Sequence, residues 1–146
     1  MSVLYTIGFA GWTAEAFFGS LAENRVLRVL DVRLRNNSQL AGFAKRDDLR
    51  YFLAELSDAE YQHLPALAPT PELLRGYRDK SVTWAQYEEI YTAILLQSAA
   101  LADLLSRGVD RACFLCSEHE PEHCHRRLLA EHIATLQPGT RIVHLT

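Results

Sequence analysis

The sequence predicts an α/β fold: a single three-layer domain over residues 1–146, built on a mainly parallel sheet of about five strands with helices on both faces. Three observations predict it. Short apolar runs alternate along the chain with stretches of helical periodicity. That alternation argues a mainly parallel sheet covered on both faces, and the run ending at Cys116 reads as a buried strand. The residues able to do chemistry fall directly after those runs, where open α/β sheets bind their ligands.

The elements follow in order. Val3 to Ile7 is a first strand, broken by Gly8-Phe9-Ala10-Gly11. Thr13 caps a helix through Glu23, with Phe17 and Leu21 four apart on its inner face. Val26 to Val32 is a second strand that carries Asp31, and Arg33 follows it. A polar loop holds Arg35 to Gln39, and Asp47 or Asp48 caps a helix through Leu56. Tyr61 to Leu64 is a short third strand carrying His63. Pro65, Pro69 and Pro71 make the next segment a loop, with a short helix from Glu72 to Tyr77. Thr83-Trp84-Ala85-Gln86 fits a capping box and opens the longest helix, Trp84 to Leu105. Its Tyr and Trp residues read as core or as a self-association face. Ala112 to Cys116 is the fourth strand, and Pro121 permits a helix from Glu122 to Leu136. Pro138-Gly139 turns the chain into a last strand, Arg141 to Leu145.

Bulk properties narrow the function. A chain of 146 residues that is 49% hydrophobic and 23% charged suits one globular domain with one sizeable core. A net charge of −3 argues against nucleic-acid binding by bulk charge and leaves room for a local basic cleft. No apolar run approaches the ~18 residues of a membrane span. The opening Met1-Ser2-Val3-Leu4-Tyr5 is already strand-like, so no signal peptide is expected. Three cysteines without a paired framework point to reduced thiols in a cytoplasm. A homo-oligomer is compatible with this composition, and the cofactor is left open.

Four segments aim unusual residues at one edge of the sheet. Gly8 follows strand one, Asp31 and Arg33 close strand two, and His63 closes strand three. Cys116 and Glu118 close strand four, and Cys124, His125 and Arg126 open the next helix. Cys124 falls where a helix start and its dipole favour an anion, so it reads as an activated thiol or as a small buried side chain. Cys116 reads as a resolving thiol, a metal ligand or core, and Cys113 as core. Arg33 and Arg126 match the geometry of a phosphate or carboxylate. Asp31 lies on the face of Arg33, to hold it or to pair with it structurally. His63 and Glu118 are the candidates for moving protons, against structural readings of both.

These motifs carry a resemblance. Tyr5-Thr6-Ile7-Gly8, Asp31-Val32-Arg33 with Ser38 behind it, Tyr61-Gln62-His63, and Cys116-Ser117-Glu118 with Cys124-His125-Arg126 are similar in order and spacing to domain-of-unknown-function family 488. The resemblance implies a compact α/β domain and marks which residues matter; it implies no reaction. The chain departs from the pattern at Phe9 and Ala10, where relatives often place polar groups. It departs also at Asn36, Gln39 and Ala68.

The leading expectation is a small cytoplasmic enzyme acting on an anionic, phosphate- or nucleotide-containing molecule. Cys124 is its nucleophile or redox thiol, and His63 or Glu118 moves protons. Gly8, Asp31, Arg33, Ser38, His125 and Arg126 form the substrate site. The alternatives are a non-catalytic nucleotide or nucleic-acid module, and a zinc-stabilised domain using Cys116, Cys124 and His125.

Overall fold

The structure, a computed structural model, describes residues 2–36 and 42–146. Five strands, β1 (Val3–Gly8), β2 (Arg28–Asp31), β3 (Glu60–His63), β4 (Ala112–Cys116) and β5 (Arg141–Leu145), form one parallel sheet. Their spatial order is β3-β2-β4-β1-β5. Six α-helices cover it: α1 (Ala14–Glu23), α2 (Arg46–Leu56), α3 (Pro71–Arg78), α4 (Trp84–Leu96), α5 (Ala99–Arg107) and α6 (His125–Leu136).

Strand alternation explains the three layers, because successive side chains point to opposite faces. Tyr5, Ile7, Val29, Cys113 and Leu115 face one way, against Phe17, Phe18 and Leu21 of α1 and Leu49 and Leu53 of α2. Leu4, Leu30 and Phe114 face the other way, against Tyr91 and Leu95 of α4, Leu104 of α5 and Leu129 and Ile133 of α6. The first two crossovers carry the chain towards β3, and the last two carry it back towards β5. The direction reverses around β4, which lies between β2 and β1. A crevice opens outside the carboxyl ends of strands at such a reversal.

Strand ends and α3 shift by one or two residues from the sequence expectation, and three helix features differ for local reasons. The long helix is two helices. Ser98 accepts from the Leu101 N–H and starts α5 afresh, while the Gln97 N–H bonds the Ile94 carbonyl. Both helices feed one core, so their apolar stripe runs through the break. Lys45, rather than Asp47 or Asp48, is the N-cap of α2, and both aspartates sit in its first turn near the free N–H groups. Helix α6 begins at His125 rather than Glu122, because the Cys124 N–H closes a turn onto the Pro121 carbonyl. Cys124 is therefore the N-cap residue, in an extended conformation, and not a first-turn residue. The capping box at Thr83 and Gln86 forms as expected, and Thr13 caps α1.

Candidate functional site

Parallel register sets the frame of the site. Gly8 pairs with Cys116, Asp31 with Leu115, and Asp31 with His63. The ends of four strands thus lie side by side, and β4 is the centre of the row.

The loop leaving β4 is drawn tightly over β1. The Phe9 and Ala10 N–H groups bond the Cys116 and Ser117 carbonyls, extending the ladder past both strands. A Cβ on Gly8 would lie 1.5 Å from the Glu118 carbonyl oxygen, so only glycine lets the loop cross there. Arg126, fully buried, ties the loop down from below. Its guanidinium donates to the Glu118 carbonyl, to the His119 carbonyl at 2.9 Å and to Thr6 Oγ1 at 3.3 Å. His119 Nδ1 in turn donates to the Ala10 carbonyl at 2.8 Å. Gly8 and Arg126 are thus structural partners of one loop, and Arg126 does not line the cleft described below.

Asp31 and Arg33 form a closed pair. Asp31 accepts from Arg33 Nε and Nη2, both at 2.8 Å, and from the Tyr61 hydroxyl at 2.6 Å. Arg33 Nη2 also donates to the Ala44 carbonyl at 2.7 Å, and the guanidinium lies over the Phe9 ring. Burial, together with the Asp31 bond, pushes the Tyr61 phenol well up, so it stays a donor. His63 Nε2 donates to the Arg33 carbonyl at 2.8 Å and is not part of the cleft wall. Ser38 and Gln39 lie outside the described residues.

The chemistry gathers at Cys116, Cys124 and His125. His125 Nε2 donates to the Val32 carbonyl at 2.8 Å, which leaves Nδ1 facing the Cys116 sulfur at 3.8 Å. The Cys124 thiol donates to the Cys116 sulfur at 2.8 Å. The two sulfurs and an imidazole nitrogen all lie within 4.8 Å of one another, and all three residues are buried. They form part of the wall of a cleft of about 500 Å³.

A family model for a domain of unknown function, DUF488, matches residues 13–133. The chain belongs to the DUF488 family. The match covers α1 to most of α6, including Asp31, Arg33, Cys116 and the start of α6. Neither a curated protein nor a solved structure matches the chain.

Protonation divides the two thiols of this DUF488 centre. The bond donated by Cys124 holds the Cys116 thiol well below its usual range against the effect of burial, with His125 helping. Burial, and then the neighbouring Cys116 charge, pushes Cys124 well up. Burial opposes a charge on His125, yet the Cys116 charge, its hydrogen bond and the Val32 carbonyl together raise its pKa. Cys113 faces the other side of the sheet, and burial pushes its thiol up.

The rest of the cleft was not legible as a site in the sequence. Arg35, Arg75 and Arg78 line it, are exposed, and make no hydrogen bond or ion pair among the described residues. Tyr87, only 3% exposed, also lines it. Its hydroxyl has no hydrogen-bond partner among the described residues, whereas the Tyr91 hydroxyl donates to the Leu67 carbonyl at 2.6 Å. Burial, and then the charge of the nearby cysteines, pushes the Tyr87 phenol well up, so it stays protonated and available as a hydrogen-bond donor. Trp84 stacks on Tyr87 at 4.8 Å and meets the His123 ring at 4.9 Å. Arg75 and Arg78 stand three apart on α3, and that spacing was the available signal.

Proposed function

We propose that this DUF488 protein is a cytoplasmic enzyme acting on an anionic, phosphate-bearing substrate in this cleft. The observation that carries the reading is the cluster of guanidiniums, Arg35, Arg75 and Arg78, that have no ion-pair partner among the described residues and stand on the walls that also hold the Cys116/Cys124/His125 centre. Guanidinium forks match phosphate oxygens, and neutralised arginines would not need to gather around a cleft. The anion-holding role expected of Arg126 passes to these three, because Arg126 is committed to backbone carbonyls. Arg33 also lines the cleft, but Asp31 neutralises it and fixes it in place.

The roles follow from position. The Cys116/Cys124/His125 centre meets the reacting atom. Glu118, exposed on the same cleft, exchanges protons with the substrate, and the Tyr87 hydroxyl, held protonated, donates a hydrogen bond to it. The aromatic wall of Tyr77 and Tyr87, backed by Trp84, suits a planar ring, so a nucleotide is the favoured phosphate carrier. His63 supports Arg33 through its carbonyl and takes no proton from substrate.

Nucleoside mono- and diphosphates and pyrophosphate test this. Wild-type protein binds at least one of them. An Arg75→Ala/Arg78→Ala variant binds it roughly a hundredfold more weakly, at about 1.4 kcal/mol and tenfold for each lost charge-assisted contact. Cys116→Ser retains binding and loses turnover of the bound probe, read by mass spectrometry of the products. Binding of no phosphate compound, or unchanged turnover in Cys116→Ser, contradicts the reading.

A further inference from the structure

Cys116, Cys124 and His125 are placed by three different devices. Cys116 is the last residue of the central strand, Cys124 is the N-cap of α6, and His125 is the first residue of that helix. The helix start turns the chain so that consecutive residues 124 and 125 both reach the strand end. Their exposures are 5%, 3% and 6%, so each is buried apart from the side that meets the cleft.

We propose that these three side chains bind one thiophilic divalent cation, zinc by the chemistry of the donors, with a fourth position open to the cleft near the Tyr87 hydroxyl. The inference deepens the enzyme reading above and rests on it for the use made of the open position. Two sulfurs and one imidazole nitrogen are a soft, borderline set that suits zinc and disfavours magnesium or calcium. Three protein ligands with one open position is the arrangement of catalytic rather than structural zinc.

Geometry supports the seat. Bond lengths of about 2.3 Å to sulfur and 2.0 Å to nitrogen place tetrahedral ligands roughly 3.5–3.8 Å apart. Cys116 Sγ and His125 Nδ1 already stand 3.8 Å apart, and the sulfurs, at 2.8 Å, need only part. The His125 ring is held as a metal-ligating ring should be. Its Nε2–H is bonded to the Val32 carbonyl, which fixes the tautomer and leaves the Nδ1 lone pair towards the sulfurs. Charge agrees as well: two thiolates and a divalent cation sum to zero, whereas two thiolates alone could not share this buried spot. The Tyr87 hydroxyl lines the same cleft without a hydrogen-bond partner among the described residues, and is a donor available to whatever occupies the fourth position.

The test uses the full chain, purified without a histidine tag under reducing conditions. Elemental analysis is expected to find about one zinc per chain. Cobalt titrated into chelator-treated protein is expected to saturate at one equivalent with a thiolate-to-metal charge-transfer band. Cys116→Ser and Cys124→Ser lose that band, and Cys113→Ser keeps it. A zinc content near zero together with no cobalt band, in wild-type protein folded by circular dichroism, overturns the proposal. A Cys116–Cys124 disulfide that persists under the reducing conditions overturns it too. The zinc content and cobalt band of the wild-type protein need no substrate and decide the proposal even where a variant misfolds. Phosphate binding that fails in wild-type protein with its full metal content would overturn the enzyme reading alone.

Discussion

Arg126 shows how much one buried side chain holds. It crosses from α6 beneath the loop after β4 and bonds two of that loop's carbonyls and Thr6. Replacing it with Met keeps the bulk and leaves both carbonyls without a donor. Hydrogen bonds to charged groups are each worth about 1.5–3 kcal/mol, so a loss of about 3 kcal/mol and a melting midpoint lower by roughly 10 °C is expected of Arg126→Met. Phosphate affinity per folded molecule should be unchanged, because the guanidinium does not reach the cleft. Normal stability with lost affinity would restore Arg126 as an anion ligand. In the sequence, a helix stripe ending in His125 and Arg126 set these residues apart. It could not separate them, since a buried Arg serving carbonyls and a cleft Arg serving an anion leave the same letter at the same spacing.

At the scale of elements, the legible features were those with local causes. Thr13 and Thr83 announce their helices by capping chemistry, and the apolar run of β4 needs no partner to be recognised. The break between α4 and α5 was missed because both helices bury apolar faces in one core, and only Ser98 marks the restart. Ser98→Ala removes the acceptor for the Leu101 N–H and is expected to cost about 1 kcal/mol, measured by denaturant unfolding. A change below the error of that measurement would mean that packing alone divides the two helices. The N-cap position of Cys124 has a parallel origin. Pro121 opens a turn before the helix rather than the helix itself, and this turn swings the Cys124 sulfur onto Cys116.

At the scale of the molecule, the convergence of strand ends was legible and the composition of the cleft was not. Parallel strands put Gly8, Asp31, His63 and Cys116 on one edge, as their positions in the sequence required. Arg35, Arg75, Arg78 and Tyr87 come from a loop and two helices that only the tertiary fold brings to that edge. Among the described residues, no helix is long and apolar enough to cross a membrane. The same buried network reaches the edge strand β5. His144 Nδ1 lies 2.6 Å from Thr6 Oγ1, and burial, then the Arg126 charge, lowers the His144 pKa, with Arg127 adding and Glu131 opposing. The unfolded chain therefore binds a proton at a higher pH than the folded chain does. This contribution to stability is full above about pH 6.5 and is lost as pH falls towards the folded value. A His144 titration followed by NMR should show a midpoint below the ordinary histidine value, and a raised midpoint would refute this account of the β1–β5–α6 corner.

The central claim is that the thiol centre and the arginine walls form one site. Its most direct measurement is the alkylation rate of each cysteine in metal-free protein, with and without saturating pyrophosphate. Cys116 should react at a pH well below the ~8.5 of a free thiol, Cys113 should stay inert, and pyrophosphate should slow Cys116 in wild-type protein but not in Arg75→Ala/Arg78→Ala. An inert Cys116, or a rate that pyrophosphate leaves unchanged, would contradict the claim.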